Sequence, residues 1–430
     1  MEFREILRAA ERDGSLVRVS EPVSPRFGVA SVLHRFDGRP VRLDGVDDGA
    51  IPIVGNLLST PELFGRSLGA SKETWIPRLI EALSADGPVE ETSGSFVYRE
   101  PDLDLLPILT HFPGDQGPYV TSGVVFARRG EERNMSFHRL SRLARDRFVG
   151  RLVEHRDLHR MYLEAREHGE DVDVAVAIGN SAGVLVAGAT SVEPGRYELG
   201  IAAALEKGVR TVRARTNSVS YPADSEIVIE GKILHDETAK EGPFVDLTNT
   251  YDGVRVQPVL AVDRIALRPG AVYHALLPGG NEHRILMGAP RTPTIYRALR
   301  AAKIDVTNVY LTPGGSGWLE AVIAIRKRDD AEPRRAIAAA IEGHRSLKRI
   351  TIVDSDVDPT DPVAVDYAVT MYWEAGKEVI QAGVRGSSLD PMATPEGLGS
   401  KLALDATRPL TVAPDRALKM RKAELAPGKA

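Results

Sequence analysis

The sequence predicts a mixed α/β protein with three domains, over residues 1–107, 108–291 and 292–430. Short helices and short strands alternate in the first segment, longer strands with few helices dominate the second, and strands alternate with helices in the third. The spread-out middle strands predict a barrel-like antiparallel sheet with helical insertions. A chain of 430 residues is also too long for one simple core.

Composition and charge exclude several classes of protein. The formal net charge of -5 argues against wholesale binding to nucleic acid or to an anionic membrane. The chain has no cysteine, which excludes disulfides, thiolate metal ligands and cysteine nucleophiles. It has neither the apolar core of a signal peptide nor an apolar run near the roughly 18 residues of a membrane span. We therefore expect a cytoplasmic protein without a membrane span.

The N-terminal domain opens with a helix over residues 2–12, whose apolar residues fall on one face at helical spacing. Thr60 followed by Pro61 predicts another helix start, because threonine caps the first turn and proline fixes its backbone. Between them we expect strands at 16–19, 40–43 and 51–54 and a helix at 29–36. Prolines punctuate the connector that ends this domain.

The other two domains follow from apolar periodicity. In the middle domain we expect strands at 119–127, 172–178, 209–219, 226–233 and 259–267 and helices at 156–166 and 197–207. In the C-terminal domain Thr292-Pro293 predicts a capped helix start, followed by strands at 308–311, 319–326, 349–353 and 379–382 and helices at 333–342 and 362–371. The tail beyond Pro391 is rich in glycine and proline and then basic, which predicts an arm that packs on a partner subunit.

Residues 225–252 are the stretch around which the chain is organised, and they hold Glu241 and Asp246 on either side of Gly242-Pro243. Residues five apart on a strand point to opposite faces, but this break allows both carboxylates to turn toward one cavity. Two carboxylates in one pocket repel, so one has a raised pKa and can donate a proton. A solvated surface loop is the alternative.

Three other segments carry polar residues whose chemistry is open when each is taken alone. Asn134 and Arg139 follow a strand and a charged hairpin and suit a surface loop. Asp157 lies at a helix start, where a carboxylate usually pairs with the helix dipole. Glu198 equally suits the first turn of a helix.

Taken in order, these segments resemble the UbiD family of decarboxylases, which use prenylated flavin mononucleotide (prenylated FMN). The most specific match is residues 225–231 with 241–244, supported by Asn134 to Arg139, residues 187–195 and residues 397–407. The stretches 274–280 and 309–315 resemble the shorter, archaeal-type branch. The resemblance implies a central split β-barrel like that of flavin reductases and a C-terminal domain that forms a homodimer or homohexamer. A flavin prenyltransferase would supply the cofactor.

The resemblance also implies the roles of the catalytic residues. Prenylated FMN adds to the double bond of an α,β-unsaturated or aromatic acid as a cycloadduct and accepts the electrons released with carbon dioxide. Arg139 then holds the leaving carboxylate, Glu241 pairs with Arg139, and Asp246 protonates the product carbon. Asp246 departs from the second glutamate of better-known members and is one methylene shorter.

A divalent metal, Mn²⁺ or Mg²⁺, holds the flavin phosphate in this family, with a monovalent ion such as potassium nearby. The implied ligands are Asn134, Glu198 and, at the family's histidine position, Asp157, flanked by His155 and His159. An oxygen-rich set suits hard cations. The residues implied to bind the flavin, besides Asn134, Arg139 and Glu198, are Met135, Phe137, Arg156, Thr190, Ser191 and Val192. Lys401 either approaches the active site or a phosphate or is a solvated lysine.

The leading hypothesis is therefore a reversible, non-oxidative decarboxylase of a small carboxylic acid. The alternatives are an inactive flavin-binding or assembly paralogue and a flavin reductase. The sequence leaves two substrate classes open. One is a phosphorylated acid such as anhydromevalonate phosphate, and the other is an aliphatic enoic acid that yields a terminal alkene. His274, His283 and Arg284 are candidate phosphate contacts, and Asn249 is a candidate for narrowing the pocket.

Overall fold

The structure is a computed structural model that describes residues 1–46, 49, 51–72, 74–193 and 195–420. The chain divides into two compact units, Met1–Pro290 and Arg291–Ala430. Both units combine helices with strands, which confirms the predicted mixed α/β multidomain class. Within the described ranges, no helix is long and apolar enough to cross a membrane.

The first unit contains eight α-helices among its described residues: α1 Phe3–Arg12, α2 Gly28–Arg35, α3 Pro61–Ser67, α4 Trp75–Leu83, α5 Asp157–Glu167, α6 Ala182–Gly188, α7 Leu199–Glu206 and α8 Asn281–Gly288. Helix α1 buries its predicted apolar face. The Thr60 side chain accepts a hydrogen bond from the backbone N–H of Leu63 at 3.2 Å, so the predicted cap of α3 is confirmed.

The strands of the first unit are short at its start and long around the candidate site. They are β1 Val17–Val19, β2 Val41–Leu43, β3 Ile53–Gly55, β4 Val89–Glu91, β5 Val97–Arg99, β6 Tyr119–Val120, β7 Val124–Arg129, β8 Glu132–Phe137, β9 Leu140–Ala144, β10 Arg147–Gly150, β11 Val172–Ile178, β12 Val209–Arg213, β13 Ser220–Pro222, β14 Ile227–Glu241, β15 Phe244–Val245, β16 Tyr251–Asp252, β17 Arg255–Leu267 and β18 Tyr273–His274.

A nine-stranded antiparallel sheet dominates the unit, in the order β6-β9-β10-β17-β14-β11-β7-β8, with β5 beside β17. Its end strands β6 and β8 are not paired with each other, so no closed barrel is found among the described strands. The smaller sheets are β1-β2-β3-β18, β13-β12-β4 and the hairpin β15-β16. That hairpin follows the end of β14 and carries part of the candidate site.

Strands β7 and β11 of the large sheet are covered on both faces. On β7, Val124 and Phe126 belong to the apolar cluster that includes α6 and α7, whereas Val125 belongs to the cluster that includes α5. Strand β11 divides its residues between the same two clusters. A strand that is buried on both faces reads as a continuous apolar run.

Strand β14 extends farther than its apolar pattern predicts. The pattern ends near residue 233, but the strand continues to Glu241 past register shifts between Glu230 and Gly231 and between Ile233 and Thr238. Residues 235–238 are polar and partly or fully exposed, so they interrupt the apolar alternation. This extension places Glu241 at the far end of the ladder with β17.

Several predicted elements in this unit are wrong in their extent. The strand expected at 119–127 is interrupted between Val120 and Val124, and the strand expected at 209–219 ends at Arg213. The sequence analysis missed α6 and α8 and the strands β8 to β10. Charged and polar residues obscure the alternation in residues 132–150.

The second unit contains α9 Arg291–Ala301, β19 Val306–Leu311, β20 Glu320–Ile325, α10 Glu332–Gly343, β21 Arg349–Asp354, α11 Pro362–Tyr372, β22 Val379–Arg385, β23 Leu398–Asp405 and α12 Pro414–Met420. Its sheet has the order β19-β20-β21-β23-β22. Helix α9 already begins at Arg291, so the expected cap at Thr292 is wrong.

The tail beyond Pro391 differs from the expected arm. Residues Leu398–Asp405 form β23, which pairs with β21 and β22 inside the sheet. Of the basic end of the tail, Arg416 and Lys419 lie in α12, and the residues after Met420 lie outside the described residues. Lys401 is buried in this unit and donates to the carbonyl oxygens of Arg345 and Leu347 at 2.6 and 2.5 Å. The alternative of a solvated lysine is therefore wrong, and its approach to the active site or a phosphate stays a prediction.

Glu226 ties helix α1 to the start of β14. This fully buried carboxylate accepts two hydrogen bonds from Arg4, at 2.7 and 2.9 Å, and one from the backbone N–H of Val272 at 3.1 Å. We expect Glu226→Ala to lower the free energy of unfolding by about 3 kcal/mol, because the Arg4 charge loses its partner. Urea denaturation measures this effect, and Glu81→Ala, which changes an exposed glutamate on α4, is the control. An unchanged midpoint in Glu226→Ala would contradict the structural role.

Candidate active site

Arg139 and Glu241 form the centre of the candidate site. Arg139 follows β8 and donates from Nε to Glu241 Oε1 at 2.8 Å and from Nη2 to Oε2 at 2.9 Å. Glu241 is fully buried at the end of β14. Burial opposes the charge on Arg139, but the hydrogen bonds and charge of Glu241 outweigh it and raise the pKa of Arg139. Arg139 is therefore held in its charged form.

Asp246 reaches the same guanidinium from the β15-β16 hairpin. Gly242 has φ +94° and lies so close to Gly253 that a Cβ atom would be 2.6 Å from the Gly253 carbonyl oxygen, so a side chain would not fit there. After this glycine and a cis Gly242-Pro243 bond the chain turns, and Arg139 Nη1 donates to Asp246 Oδ2 at 3.3 Å. The structure thus brings the three predicted catalytic residues together.

The sequence analysis missed two residues of this cluster. Asp252, at the end of the hairpin, accepts a hydrogen bond from Arg139 Nη2 at 2.9 Å and another from Arg255 Nη1 at 2.7 Å. The Tyr119 hydroxyl donates a hydrogen bond to Glu241 Oε1 at 3.1 Å. Neither residue is marked by local spacing, because each reaches the cluster only after the sheet has formed.

Arg139 and Asp246 border a largely apolar cavity. Its other polar lining residues include His138 and His283, and burial lowers the pKa of both, that of His138 to about 4. Both histidines are therefore neutral near pH 7. The apolar part of the lining is Phe137, Val153, Ala189, Phe244, Leu276, Pro278, Leu286 and Met287.

Asn134 and Glu198 form a second polar pair. The expected surface loop at Asn134 is wrong, because Asn134 is buried on β8. Asn134 Nδ2 donates to Glu198 Oε1 at 3.1 Å, and the backbone N–H of Met135 donates to Oε2 at 3.0 Å. Burial and the nearby charge of Asp157 raise the pKa of Glu198 to about 7, against the opposing effect of these hydrogen bonds.

Asp157, the third expected ligand, is less closely placed. It is the first residue of α5, its side chain is half exposed, and its charge reaches Glu198 without a direct bond. His155 and His159 flank it, and within the described ranges neither is hydrogen-bonded to Asn134 or Glu198. The described residues contain no group of three His, Cys, Asp or Glu side chains that could hold a metal ion. The expected metal ligands, Asn134, Asp157 and Glu198, provide only two carboxylates and one amide.

The remaining residues expected at the flavin lie close to this pair in sequence or in space. Arg156 Nη1 donates to Ser191 Oγ at 3.2 Å, which links the start of α5 to the loop after α6. Thr190 donates to the Val186 carbonyl oxygen at 2.8 Å, and Val192 packs on the apolar cluster beside α6. Phe137 borders the cavity.

Of the three expected phosphate contacts, His283 lines the cavity. Its Nδ1 accepts a hydrogen bond from the Gly279 backbone at 3.1 Å. His274 is wrong as a contact, because it is buried against Phe3 and Glu282. Arg284 lies 3.5 Å from Asn281 Oδ1 and does not line the cavity.

Asn249 lies in the hairpin loop in a left-handed conformation, with φ +58°. Its side-chain oxygen lies so close to Gly279 that a Cβ atom there would be 1.8 Å away. Asn249 therefore packs against residue 279, and a larger side chain at residue 279 would displace the loop.

The fold and the site define a class of enzyme. A guanidinium that borders an apolar cavity and is paired with three carboxylates is suited to bind a small carboxylic acid beside a proton donor. The buried amide and carboxylate of Asn134 and Glu198 lie in the same unit and offer oxygen ligands. These features are those of an enzyme that acts on a carboxylic acid.

Three family models cover most of the chain. They describe the N-terminal domain of 3-octaprenyl-4-hydroxybenzoate carboxy-lyase over residues 7–83, its Rift-related domain over 81–281 and its C-terminal domain over 284–406. The chain belongs to the UbiD family of decarboxylases. The resemblance stated from the motifs is therefore confirmed.

Curated relatives match almost the whole chain. The anhydromevalonate phosphate decarboxylase of Methanothermobacter thermautotrophicus is 39% identical over 401 residues, which are 92% of this chain and 94% of that protein. The enzyme of the same name from Methanosarcina mazei is 37% identical over 415 residues, which are 95% and 97% of the two chains.

Solved structures share the fold. The UbiD-class enzyme HmfF from Pelotomaculum thermopropionicum in complex with FMN has a TM-score of 0.94 at 33% identity and covers 98% of this chain and 97% of its own. An evolved dimeric form of HmfF in complex with prenylated FMN has a TM-score of 0.88 at 31% identity and covers 98% of both chains.

Proposed function

We propose that this chain catalyses the reversible, non-oxidative decarboxylation of a small α,β-unsaturated or aromatic acid with prenylated FMN as its cofactor. One observation carries the proposal: Arg139 and Asp246 border the same cavity as Phe137, which is expected to contact the flavin, and Ala189, which precedes the expected flavin contact Thr190. The HmfF structures hold FMN and prenylated FMN in the same fold, which supports this assignment.

The residues around Asn134 fit a divalent metal ion. Glu198 offers two buried carboxylate oxygens, and Asn134 offers an amide oxygen that accepts a hydrogen bond from Ser136 Oγ at 2.8 Å. Asp157 adds a second negative charge. Burial and the charge of Asp157 raise the pKa of Glu198, and a cation bound beside it would favour its charged form. Oxygen ligands suit Mn²⁺ or Mg²⁺, and we propose that these three residues hold one such ion, with K⁺ nearby, to bind the flavin phosphate.

When bound, prenylated FMN supplies the electron sink that decarboxylation at an unsaturated carbon requires. Arg139 binds and orients the substrate carboxylate, and two hydrogen bonds to Glu241 hold the planar guanidinium in one orientation. The apolar walls exclude water from the reacting carbon. Asp246 carries the proton that replaces carbon dioxide on that carbon. A carboxylate and one proton thus become carbon dioxide and a C–H bond.

Two substrate classes remain as proposals, and a different observation favours each. The names of the archaeal relatives favour anhydromevalonate phosphate. The apolar lining favours an aliphatic enoic acid, because Arg151, the other arginine of the cavity, is already held by Glu154 at 2.9 and 3.1 Å. The test is carbon dioxide release from each acid by chain that was co-expressed with a flavin prenyltransferase. No release from any unsaturated or aromatic acid would contradict the proposed function.

We expect Glu198→Ala to lose metal and flavin together, because the ion would bridge Glu198 to the flavin phosphate. Elemental analysis and flavin absorbance of the purified variant measure the two losses. Glu206→Ala is the matched control, since Glu206 is a mostly buried glutamate at the opposite end of α7 and bonds Ser181 and Gly183 instead. Full flavin occupancy in metal-free Glu198→Ala would contradict the phosphate bridge.

The proposal extends to the organisation of the protein. We propose a central flavin-binding domain of split-barrel type over 108–291, between an N-terminal domain over 1–107 and a C-terminal oligomerisation domain over 292–430. A homodimer or homohexamer in the cytoplasm, supplied by a flavin prenyltransferase, completes it. The dimeric form of HmfF is a precedent for a dimer. Light scattering of the purified chain distinguishes the two assemblies.

A further inference from the structure

Arg139 is nearly saturated with protein carboxylates. A guanidinium has five N–H donors. Arg139 uses Nε and one N–H of Nη2 on Glu241, at 2.8 and 2.9 Å, and the second N–H of Nη2 on Asp252 at 2.9 Å. Nη1 uses one N–H on Asp246 at 3.3 Å. One N–H of Nη1 is therefore left, and Nη2 has none.

An acid that binds Arg139 with both oxygens needs one of the two edges of the guanidinium. The edge formed by Nε and Nη2 is filled by Glu241, which is fully buried and also holds Tyr119. The other edge is formed by Nη1 and Nη2. An acid reaches this edge in two-point contact only if Nη2 releases Asp252.

We propose that Asp252 occupies half of the substrate carboxylate position on Arg139 and is a positioning residue that sets the affinity for the acid. In the resting chain, Asp252 Oδ2 lies where one oxygen of a bound carboxylate would lie. The inference rests on the proposed function only in taking the ligand of Arg139 to be a carboxylic acid. According to this inference, Asp252 competes with the substrate carboxylate for Arg139.

Asp252 can release Arg139 without losing all its partners. Its Oδ1 accepts hydrogen bonds from Arg255 Nη1 at 2.7 Å and from the Gly253 backbone at 2.9 Å, and only Oδ2 contacts Arg139. Asp246 has the same arrangement, because its Oδ1 accepts from the Leu247 backbone at 2.6 Å. Both aspartates therefore hold the hairpin with one oxygen and Arg139 with the other.

The charges around Arg139 also support competition between Asp252 and the acid. Around Arg139 the structure gathers three carboxylates, from Glu241, Asp246 and Asp252, and a second guanidinium, from Arg255. An incoming acid adds a further negative charge beside these carboxylates, and like charges in contact oppose binding. Removing the charge of Asp252 should therefore favour the acid.

Asp252→Asn tests this inference, because asparagine keeps an oxygen for Arg255 and Gly253 but presents no charge to Nη2. The probe is butyrate, a saturated acid without a double bond to react, titrated calorimetrically into full-length chain loaded with prenylated FMN. We expect the dissociation constant to fall about three- to tenfold relative to the native chain. Asp224→Asn is the matched control, since Asp224 is equally exposed and pairs with Arg210 and Arg268.

Steady-state carbon dioxide release provides the second readout. We expect KM for anhydromevalonate phosphate, or for crotonate if that is the acid turned over, to fall in Asp252→Asn while kcat changes less than about twofold. A purely structural role would lower kcat or leave both constants unchanged. Thermal melting confirms that the variant is folded, and Asp252→Ser replaces it if it is not.

The two proposals fail in different ways. Butyrate binding by the folded variant that is equal, weaker or undetectable overturns the role of Asp252, and the proposed function stands if the native chain releases carbon dioxide. Tighter butyrate binding without carbon dioxide release from any acid overturns the proposed function alone.

Discussion

Arg139→Ala is expected to abolish carbon dioxide release while the flavin stays bound. Alanine removes the guanidinium that orients the carboxylate, and a loss of orientation alone costs at least about a hundredfold in rate. Arg151 cannot replace it, because it is held by Glu154 and by the carbonyl oxygen of Leu152. Carbon dioxide release and flavin absorbance of the same preparation measure the two effects.

Two further variants separate chemistry from stability. Arg139→Ala leaves the fully buried Glu241 without its cation, which costs about 3 to 5 kcal/mol of stability. Arg139→Lys keeps the charge but loses the planar fork, so we expect a folded chain that still fails to release carbon dioxide. Arg142→Ala removes a partly exposed arginine on β9 that pairs with Asp104 and should keep its activity. Activity of Arg139→Ala within threefold of the control would contradict the carboxylate clamp.

Local patterns predicted the elements whose apolar residues recur regularly. Strand β11 was predicted at residues 172–178 and is observed there, because the valines of 172–176 mark the strand in the sequence. Helix α6 was missed because all its residues, Ala182–Gly188, are buried, so it has no polar face and no helical alternation. The loop expected at Asn134 is a strand because its partner β7 lies beside it in a hairpin.

The candidate site, like the fold, could be predicted from the sequence only in part. Arg139, Glu241 and Asp246 could be proposed from motif spacing, and the structure places them in contact. Asp252 could not, since its approach to Nη2 depends on the hairpin that follows the glycine at 242. The sequence shows which residue types are available, but which ones share a guanidinium depends on pairings across more than 100 residues of chain.

Asp246→Asn is expected to block protonation of the product carbon. Asparagine has nearly the same shape and can still accept a hydrogen bond from the Leu247 backbone, but it has no acidic proton to give. Loss of a general acid lowers the rate about 10² to 10⁴-fold. The rate of deuterium incorporation at the product carbon in heavy water, followed by NMR, should fall together with the rate of the reaction. Asp224→Asn, which lies outside the cavity, should exchange normally.

Asp246→Glu asks whether the reach of the side chain matters. The extra methylene moves the carboxyl group by about one C–C bond, and the Asp246 side chain is about one quarter exposed, so there is room for it to be rearranged. If proton delivery from residue 246 is the essential step, glutamate should restore exchange that asparagine abolishes, with a changed rate because the donor is displaced. Ordinary exchange in Asp246→Asn would instead assign the proton to another group. Because Glu241 is buried and bonded to both Arg139 and Tyr119, the next candidate would be a water molecule that enters along the exposed side of the hairpin.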